Sequence, residues 1–376
     1  MKQTLAAVLY AGFLLLALRV HATPSNVAAS GVAAAGQIEQ ADALLRRYRE
    51  TANPAFITQA QAAVSAALGT VPENYIAQRT EVAVLLAQHT DLEALARVTE
   101  LNRRFPDDVA TYALLIDAEL ALGLYAQAEQ HTQALLDLRP DNLPGLIRTA
   151  RLRELYGDWQ GAIDCLNASL NRVTDDDAEL RARLYTQLAR LHFEAGHSDI
   201  AQQALAAALR AVPEYHLALA ESVRIARLGG AHDAAVRNAA KLYQVAPSVP
   251  HLLMLARATA AAGDLADAQT LFRQFERAAS AVGMGDHAAQ LALSAYYADE
   301  GRDVARALRL SAAVRAVRAD VDSVLAQAWA LHRAGRIAEA KSELDTLARL
   351  GWRDSDFRAL LAVVDAARPS NPQPNS

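Results

Sequence analysis

Apolar residues recur along this chain with a helical period set inside a longer one. The pattern is clearest around residues 109–140. Tyr112, Leu115 and Ile116 fall at i, i+3 and i+4, with Glu119 the one miss at i+7, the spacing of one face of an α-helix. A second apolar stripe follows at Leu124, Tyr125, Ala128, Leu135 and Leu136. Gly123 stands between the stripes and offers a turn the positive φ that closes a helix. Pro140 follows the second stripe and stops it, having no N–H to continue the ladder. The pattern predicts a hairpin of two helices, each with one apolar stripe.

The hairpin repeats. Ala60, Ala94, Ala128, Ala162, Ala201, Ala235, Ala268, Ala307 and Ala340 hold the same place, at gaps of 34, 34, 34, 39, 34, 33, 39 and 33 residues. Five residues before the alanine stand Gly123, Gly157, Gly196, Gly230, Gly263 and Gly335; Ala55 and His89 fill that place in the first two units. Twelve residues after it stand Pro72, Pro106, Pro140, Pro213 and Pro247, with Thr174, Ser280, Ala319 and Trp352 elsewhere. The small alanine lets the two helices approach closely. One hairpin cannot bury both of its stripes, so each must be covered by its neighbours.

The units TYALLIDAELALGLYAQAEQHTQALLDLRP and LYTQLARLHFEAGHSDIAQQALAAALRAVP resemble the tetratricopeptide repeat (TPR). That repeat has large apolar, Leu and small positions in its first helix, Gly at the turn, Ala early in the second helix and Pro after it. The resemblance covers about residues 41–354. It implies an all-α fold: a right-handed α-solenoid of about nine TPR-like helix-turn-helix repeats, whose first helices line a concave face. Two insertions, TDDDAEL at 174–180 and AVGMGDHA at 281–288, lengthen the fourth-to-fifth and seventh-to-eighth connections. The first reads as a solvent loop or a longer helix start, the second as a bend. The segment 355–368, SDFRALLAVVDAAR, is amphipathic and has no partner helix. It is the expected terminal cap of a stack, with Asp354 or Ser355 as its N-cap.

The ends read differently. Lys2, the apolar run Leu5–Leu18 and VHA before Thr23 predict a cleavable signal peptide over 1–22; the run is too short to span a membrane comfortably. Small residues over 23–40 read as a flexible leader, and the proline-rich 369–376 as a disordered tail. An exported chain with no cysteine near the cleavage point is expected in a Gram-negative periplasm, with secretion as the alternative and no transmembrane segment after cleavage.

Composition narrows the function. The chain is 52% hydrophobic and 6% aromatic, as Leu- and Ala-rich helix packing requires. Loss of 1–22 removes Lys2 and Arg19 and moves the net charge from −5 to −7, which argues against nucleic-acid binding. Cys165 is the one cysteine, so no internal disulfide forms; it reads as a small buried apolar residue. His192 and His197 lie either side of a turn and are not expected to share a helical face. TDDDAE lacks the Gly and terminal Glu of a calcium loop. No G-x-S-x-G elbow and no Gly-rich phosphate loop occurs. The chain is therefore expected to be a binding protein rather than an enzyme, with no catalytic residue, cofactor or metal ligand.

One row stands out. The residue eleven before each marker alanine, beside the buried columns of the first helix, reads Asp117, Arg151, Arg190, Arg224, Arg257, Tyr296 and Trp329 down the stack, with Arg227 close by. Arginine forks suit carboxylate or phosphate, and the two aromatics suit a sugar ring or a peptide side chain. The row is either a concave groove for an acidic ligand or a solvated face paired with Glu154, Glu194 or Glu221. The chain has 34 Arg and 3 Lys, so arginine by itself is not diagnostic. The TPR carboxylate clamp, a Lys/Asn set on two adjacent units, has no counterpart here. These features favour a scaffold that holds a partner protein or extended peptide, acidic in character, within an envelope assembly or export machine. The alternative is an accessory module of a polysaccharide system that binds an acidic glycan.

Overall fold

The computed structural model describes residues 24–174, 176–281, 286–299 and 303–367. The signal peptide expected over 1–22 and the tail over 369–376 lie outside these residues. Among the described residues there are nineteen helices and no strand. They form nine hairpins and a single last helix. The hairpins are α1 (Pro24–Thr51) with α2 (Pro54–Thr70), α3 (Tyr75–Ala87) with α4 (Asp91–Arg104), α5 (Val109–Leu122) with α6 (Tyr125–Leu138), and α7 (Leu143–Leu155) with α8 (Trp159–Leu170). Next come α9 (Ala178–Glu194) with α10 (Ser198–Ala211), α11 (His216–Leu228) with α12 (His232–Val245), and α13 (Val249–Ala261) with α14 (Leu265–Ala281). α15 (His287–Asp299) pairs with α16 (Val304–Arg315), α17 (Val321–Arg333) with α18 (Ile337–Leu350), and α19 (Ser355–Ala366) stands last. The architecture is a right-handed α-solenoid.

Each repeat column has its physical role. All nine marker alanines are buried, none more than 2% exposed. They sit where a larger side chain would push the two arms apart. The six turn glycines have φ between 73° and 92°, and His89 takes the same left-handed conformation at φ 58°. The column prolines each follow a C-cap residue that has left the helix, as at Phe105 (φ −133°) and Val212 (φ −135°), because the residue before proline is driven out of the α region. At the other end of the hairpins, Asn74, Asp108, Asn142 and Asp320 each accept a backbone N–H of the first turn of the first arm, and at one turn Asp158 does so for α8. Asp354 does so for α19, from Phe357 N at 2.8 Å.

Two expectations are corrected. Residues 24–40 do not form a flexible leader; they are the first part of the 28-residue helix α1. Its Ala34, Ile38, Ala41 and Leu45 are buried, so this segment covers the otherwise open stripe of α2. The first turn lies at Ala52 (φ 52°) and Asn53 rather than at Ala55, which is already inside α2. His192 and His197 lie either side of the turn between α9 and α10, as expected, and share no helical face; their rings are 6.0 Å apart across the turn. The insertion 174–180 leads into α9, capped by Asp177, and α9 and α14 are lengthened to 17 residues each. The bend expected at 281–288 falls mainly on 282–285, outside the described residues.

A solenoid is held mainly by nearest neighbours, but this one also closes on itself at two seams. At the first, the C-terminal units dock on the second, third and fourth. Ala319 N donates to Leu122 O at 2.9 Å, Val321 N donates to Tyr125 Oη at 3.1 Å, and Arg318 pairs with Asp91 at 2.7 Å. Ile116, Leu135, Leu152 and Leu155 share one core with Val324, Leu331, Leu344, Trp352 and Phe357. At the second seam α1 meets α9 and α11. Arg49 pairs with Glu179 at 3.6 Å, and the His216 Nε2–H donates to Arg49 O at 3.1 Å.

The second seam is pH-sensitive. Burial, with a smaller push from His251, lowers the His216 pKa from 6.5 to about 4. The folded state therefore prefers neutral His216, and the unfolded chain binds more protons between those values. Stability held above pH 6.5 is lost as pH falls toward 4. The loss is expected to be on the order of 1 kcal/mol for this partly exposed ring. Chemical unfolding from pH 7 to pH 4.5 should show it, and His216→Gln should flatten that part of the profile.

Candidate functional site

The first helices of the later hairpins lie along an inner wall, each with one stripe toward the superhelix axis. The stripe runs at i, i+3/i+4, i+7: Pro250, Leu253, Met254 and Arg257 on α13; Ala288, Leu291, Ala292, Ala295 and Asp299 on α15; Asp322, Leu325, Ala326 and Trp329 on α17. Arg227 of α11 and Asp356, Leu360 and Val363 of α19 complete the wall. They line an open axial cavity of about 800 Å³. Its surface is mainly aliphatic, with polar groups gathered at the ends of the helices. His89, His287, Arg318 and Asp320 lie toward the N-terminal ends of α15 and α17. Arg257, Asp299 and Trp329 lie toward the C-terminal ends, where Asp299 accepts from both the Arg257 guanidinium and the Trp329 indole. Trp329 stacks on His332 with ring centroids 5.4 Å apart. This links α13, α15 and α17 at one rim.

The arginine row divides into two parts. Arg227, Arg257 and Trp329 reach the cavity. Arg151, Arg190 and Arg224 form a ladder of ion pairs beside it, with the glutamates that the alternative reading names. Glu154 bridges Arg151 and Arg190, each at 2.7 Å. Burial pushes Glu154 up, but the two guanidiniums outweigh it and hold its carboxyl below the usual range. Arg224, 16% exposed, pairs with Glu194 and with Glu221 at 3.2 Å. Burial opposes its charge, yet Glu221 and Glu194 hold its pKa above the ordinary arginine value. Asp117 is tied to Arg148.

The start of α19 covers this ladder. Asp356 reaches Arg224 at 3.3 Å and Arg227 at 2.8 Å. Ser355 donates to Glu194 from both its backbone N, at 2.9 Å, and its Oγ, at 2.7 Å. Arg151 lies over the Trp352 ring at 5.6 Å. The acidic segment bound to Arg224 and Arg227 is thus the chain's own Asp354–Ser355–Asp356. Burial raises Asp356, but the Arg227 hydrogen bond and Arg224 bring it below the usual carboxylate range.

Tyr296 does not belong to the site. It is 1% exposed and packs on Phe272 and Phe275 at 5.6 and 5.2 Å between ring centroids. The cause is a phase shift. Residues 300–303 join α15 to α16, where 195–197 join α9 to α10, so counting eleven back from Ala307 lands one residue off the stripe, on the core side of Ala295. The sequence carries a sign of it: Gly301 stands six before Ala307, one out of column. The cavity residues the row misses, Asp322, Leu325, Leu253 and Leu291, lie four and seven residues before row or near-row positions on the same helices. Extending each row position back along its own helical face finds them.

Cys165 is half-buried with a free thiol, and burial raises its pKa, which makes it a poor nucleophile. Among the described residues no three His, Cys, Asp or Glu side chains are grouped to hold a metal ion, and no helix is long and apolar enough to cross a membrane.

No family model and no curated protein matches the chain. Solved structures do. The human IFIT1 dimer with PPP-AAAA is similar over 78% of this chain and 79% of its own, at 14% identity and a TM-score of 0.52. Cut9 in the APC/C hetero-tetramer Cut9–Hcn1 is similar at 16% identity and a TM-score of 0.49; the match takes in 86% of this chain and 54% of that one, about half of its length. TTC0263, a thermophilic TPR protein of Thermus thermophilus, is 22% identical over 50% of this chain and 97% of its own, at a TM-score of 0.41. With nine phased hairpins, left-handed turns between their arms and a buried alanine in every unit, the chain is by fold a TPR-like α-solenoid with a C-terminal capping helix.

Proposed function

We propose that this chain is an exported adaptor of the periplasm, which holds a segment of another protein in its axial cavity as part of an envelope assembly or export machine. The observation that carries the reading is the cavity itself, about 800 Å³ with a mainly aliphatic wall and polar groups at its ends. That is the size and character of a ligand site. The sequence at 1–22 supports export, and the lack of a catalytic motif in the sequence favours binding over catalysis. An acidic glycan is disfavoured because Arg151, Arg190 and Arg224 are already committed to carboxylates of the chain. Human IFIT1 is seen with PPP-AAAA; a net charge of −5 disfavours a phosphate-rich ligand here.

The test fills the cavity. Ala326→Trp places an indole on the wall. Crosslinked capture from intact envelopes should recover a partner with wild type and lose at least about 90% of it with Ala326→Trp, both proteins giving the same helical circular dichroism. Equal recovery by both proteins removes the cavity from the function.

A further inference from the structure

Among the described residues, the charged groups on the cavity wall are paired with one exception. Arg227 is held by Asp356, Arg257 by Asp299, and Arg318 by Asp91 and Asp320. Asp322, on the first turn of α17, has no hydrogen bond or ion pair to any described residue. It is exposed to the solvent inside the cavity, yet protein surrounds it. Burial and the neighbouring Asp320 push its carboxyl above the usual range, against the more distant pull of Arg151, Arg190 and Arg318. Each of those three arginines is already spoken for by another carboxylate. Asp322 lies at the polar rim with Asp320, Arg318 and His287; one turn further along α17 the wall becomes aliphatic at Leu325 and continues through Leu253 and Leu291, with Leu360 and Val363 from α19. Val363 is 44% exposed, an uncovered side chain facing the same space.

An apolar cavity whose one unmatched charge is a carboxylate recognises an apolar body with one cation. Asp322 is solvated as it stands, and a cation seated there forms a charge-assisted hydrogen bond. Lysine suits the place because its ammonium is compact and sits on a long aliphatic stem that the leucines can cover. We propose that the cavity takes an extended apolar peptide segment carrying one lysine, whose ammonium seats on Asp322. This rests on the reading of the cavity as the partner site, and reverses the sign of ligand charge that the arginine row suggests.

The probe is a labelled heptapeptide of leucine and valine with a central lysine, compared with the same peptide carrying norleucine there. Both are titrated by fluorescence anisotropy at about 150 mM salt, near-physiological screening, against the full mature chain. Wild type is expected to bind the lysine peptide about threefold more tightly, the size of a solvent-screened ion pair. Asp322→Asn should bring the two affinities together, and Ala326→Trp should weaken both. Equal binding of the two peptides by wild type, with Ala326→Trp still weakening both, overturns the lysine and keeps the cavity. A lysine preference that survives in Asp322→Asn also overturns it. If neither peptide binds, both the cavity reading and the lysine fall.

Discussion

Gly123→Ala is expected to spring the superhelix open, at a cost of about 4 kcal/mol or more. Gly123 has φ 77°, and a Cβ there would lie 2.3 Å from the carbonyl carbon of Ala319 and 2.6 Å from Asp320 N. Those are backbone atoms of the first seam and cannot swing away as a side chain tip would. Relief requires α17 to lift from α5, which breaks the Ala319 N–Leu122 O bond and uncovers the shared core. Gly335 provides the control. It has the same conformation, φ 74°, with nothing within 4 Å of a Cβ, so Gly335→Ala carries only the left-handed penalty of about 1 kcal/mol. Urea unfolding midpoints compare the two, and small-angle scattering should show a larger radius of gyration for Gly123→Ala alone. Equal losses in the two variants would mean that the seam contributes nothing.

The second large effect is expected at Arg224. It is the cation shared by Glu194, Glu221, Asp354 at 3.8 Å and Asp356 at 3.3 Å. Glu194 and Glu221 are 4% and 11% exposed. Arg224→Ala leaves these carboxylates facing one another with Arg227, Arg358 and the more distant Arg190 as the remaining cations. Breaking a buried pair in this way costs about 3–5 kcal/mol. The cost has a pH signature. Glu221 and Asp354 are already raised by burial, with Arg224 opposing; without Arg224 they rise further. A carboxyl raised in the folded state binds its proton more tightly there than in the unfolded chain. Stability then falls as pH climbs from the unfolded value, about 4, through the raised one. The deficit against wild type should be small near pH 4 and full at pH 7. Limited proteolysis at pH 7 should release α19 first, since its Asp356 loses a partner. A deficit independent of pH would assign the loss to packing rather than charge.

Which features could be read from the chain alone follows from the range of each interaction. The hairpins, their number and their phase are local. Alanine contacts, turn conformations and proline stops act within about thirty residues, one repeat length, and each leaves a column in the repeat. Arg227, Arg257 and Trp329 could be placed on the inner surface for the same reason, because a helical stripe is a local property. Whether the arginine row faced solvent, a ligand or the chain itself is not local. It was settled only by folding, which brings Asp356 to Arg224 across 132 residues of sequence. The seam contacts depend on superhelical pitch, which sums small rotations over nine units, so no single unit records it. The same sum made the cavity, by turning three stripes and a capping helix toward one axis. Tyr296 fell to a one-residue change in a single connection, small in the sequence and enough to rotate a side chain from cavity to core.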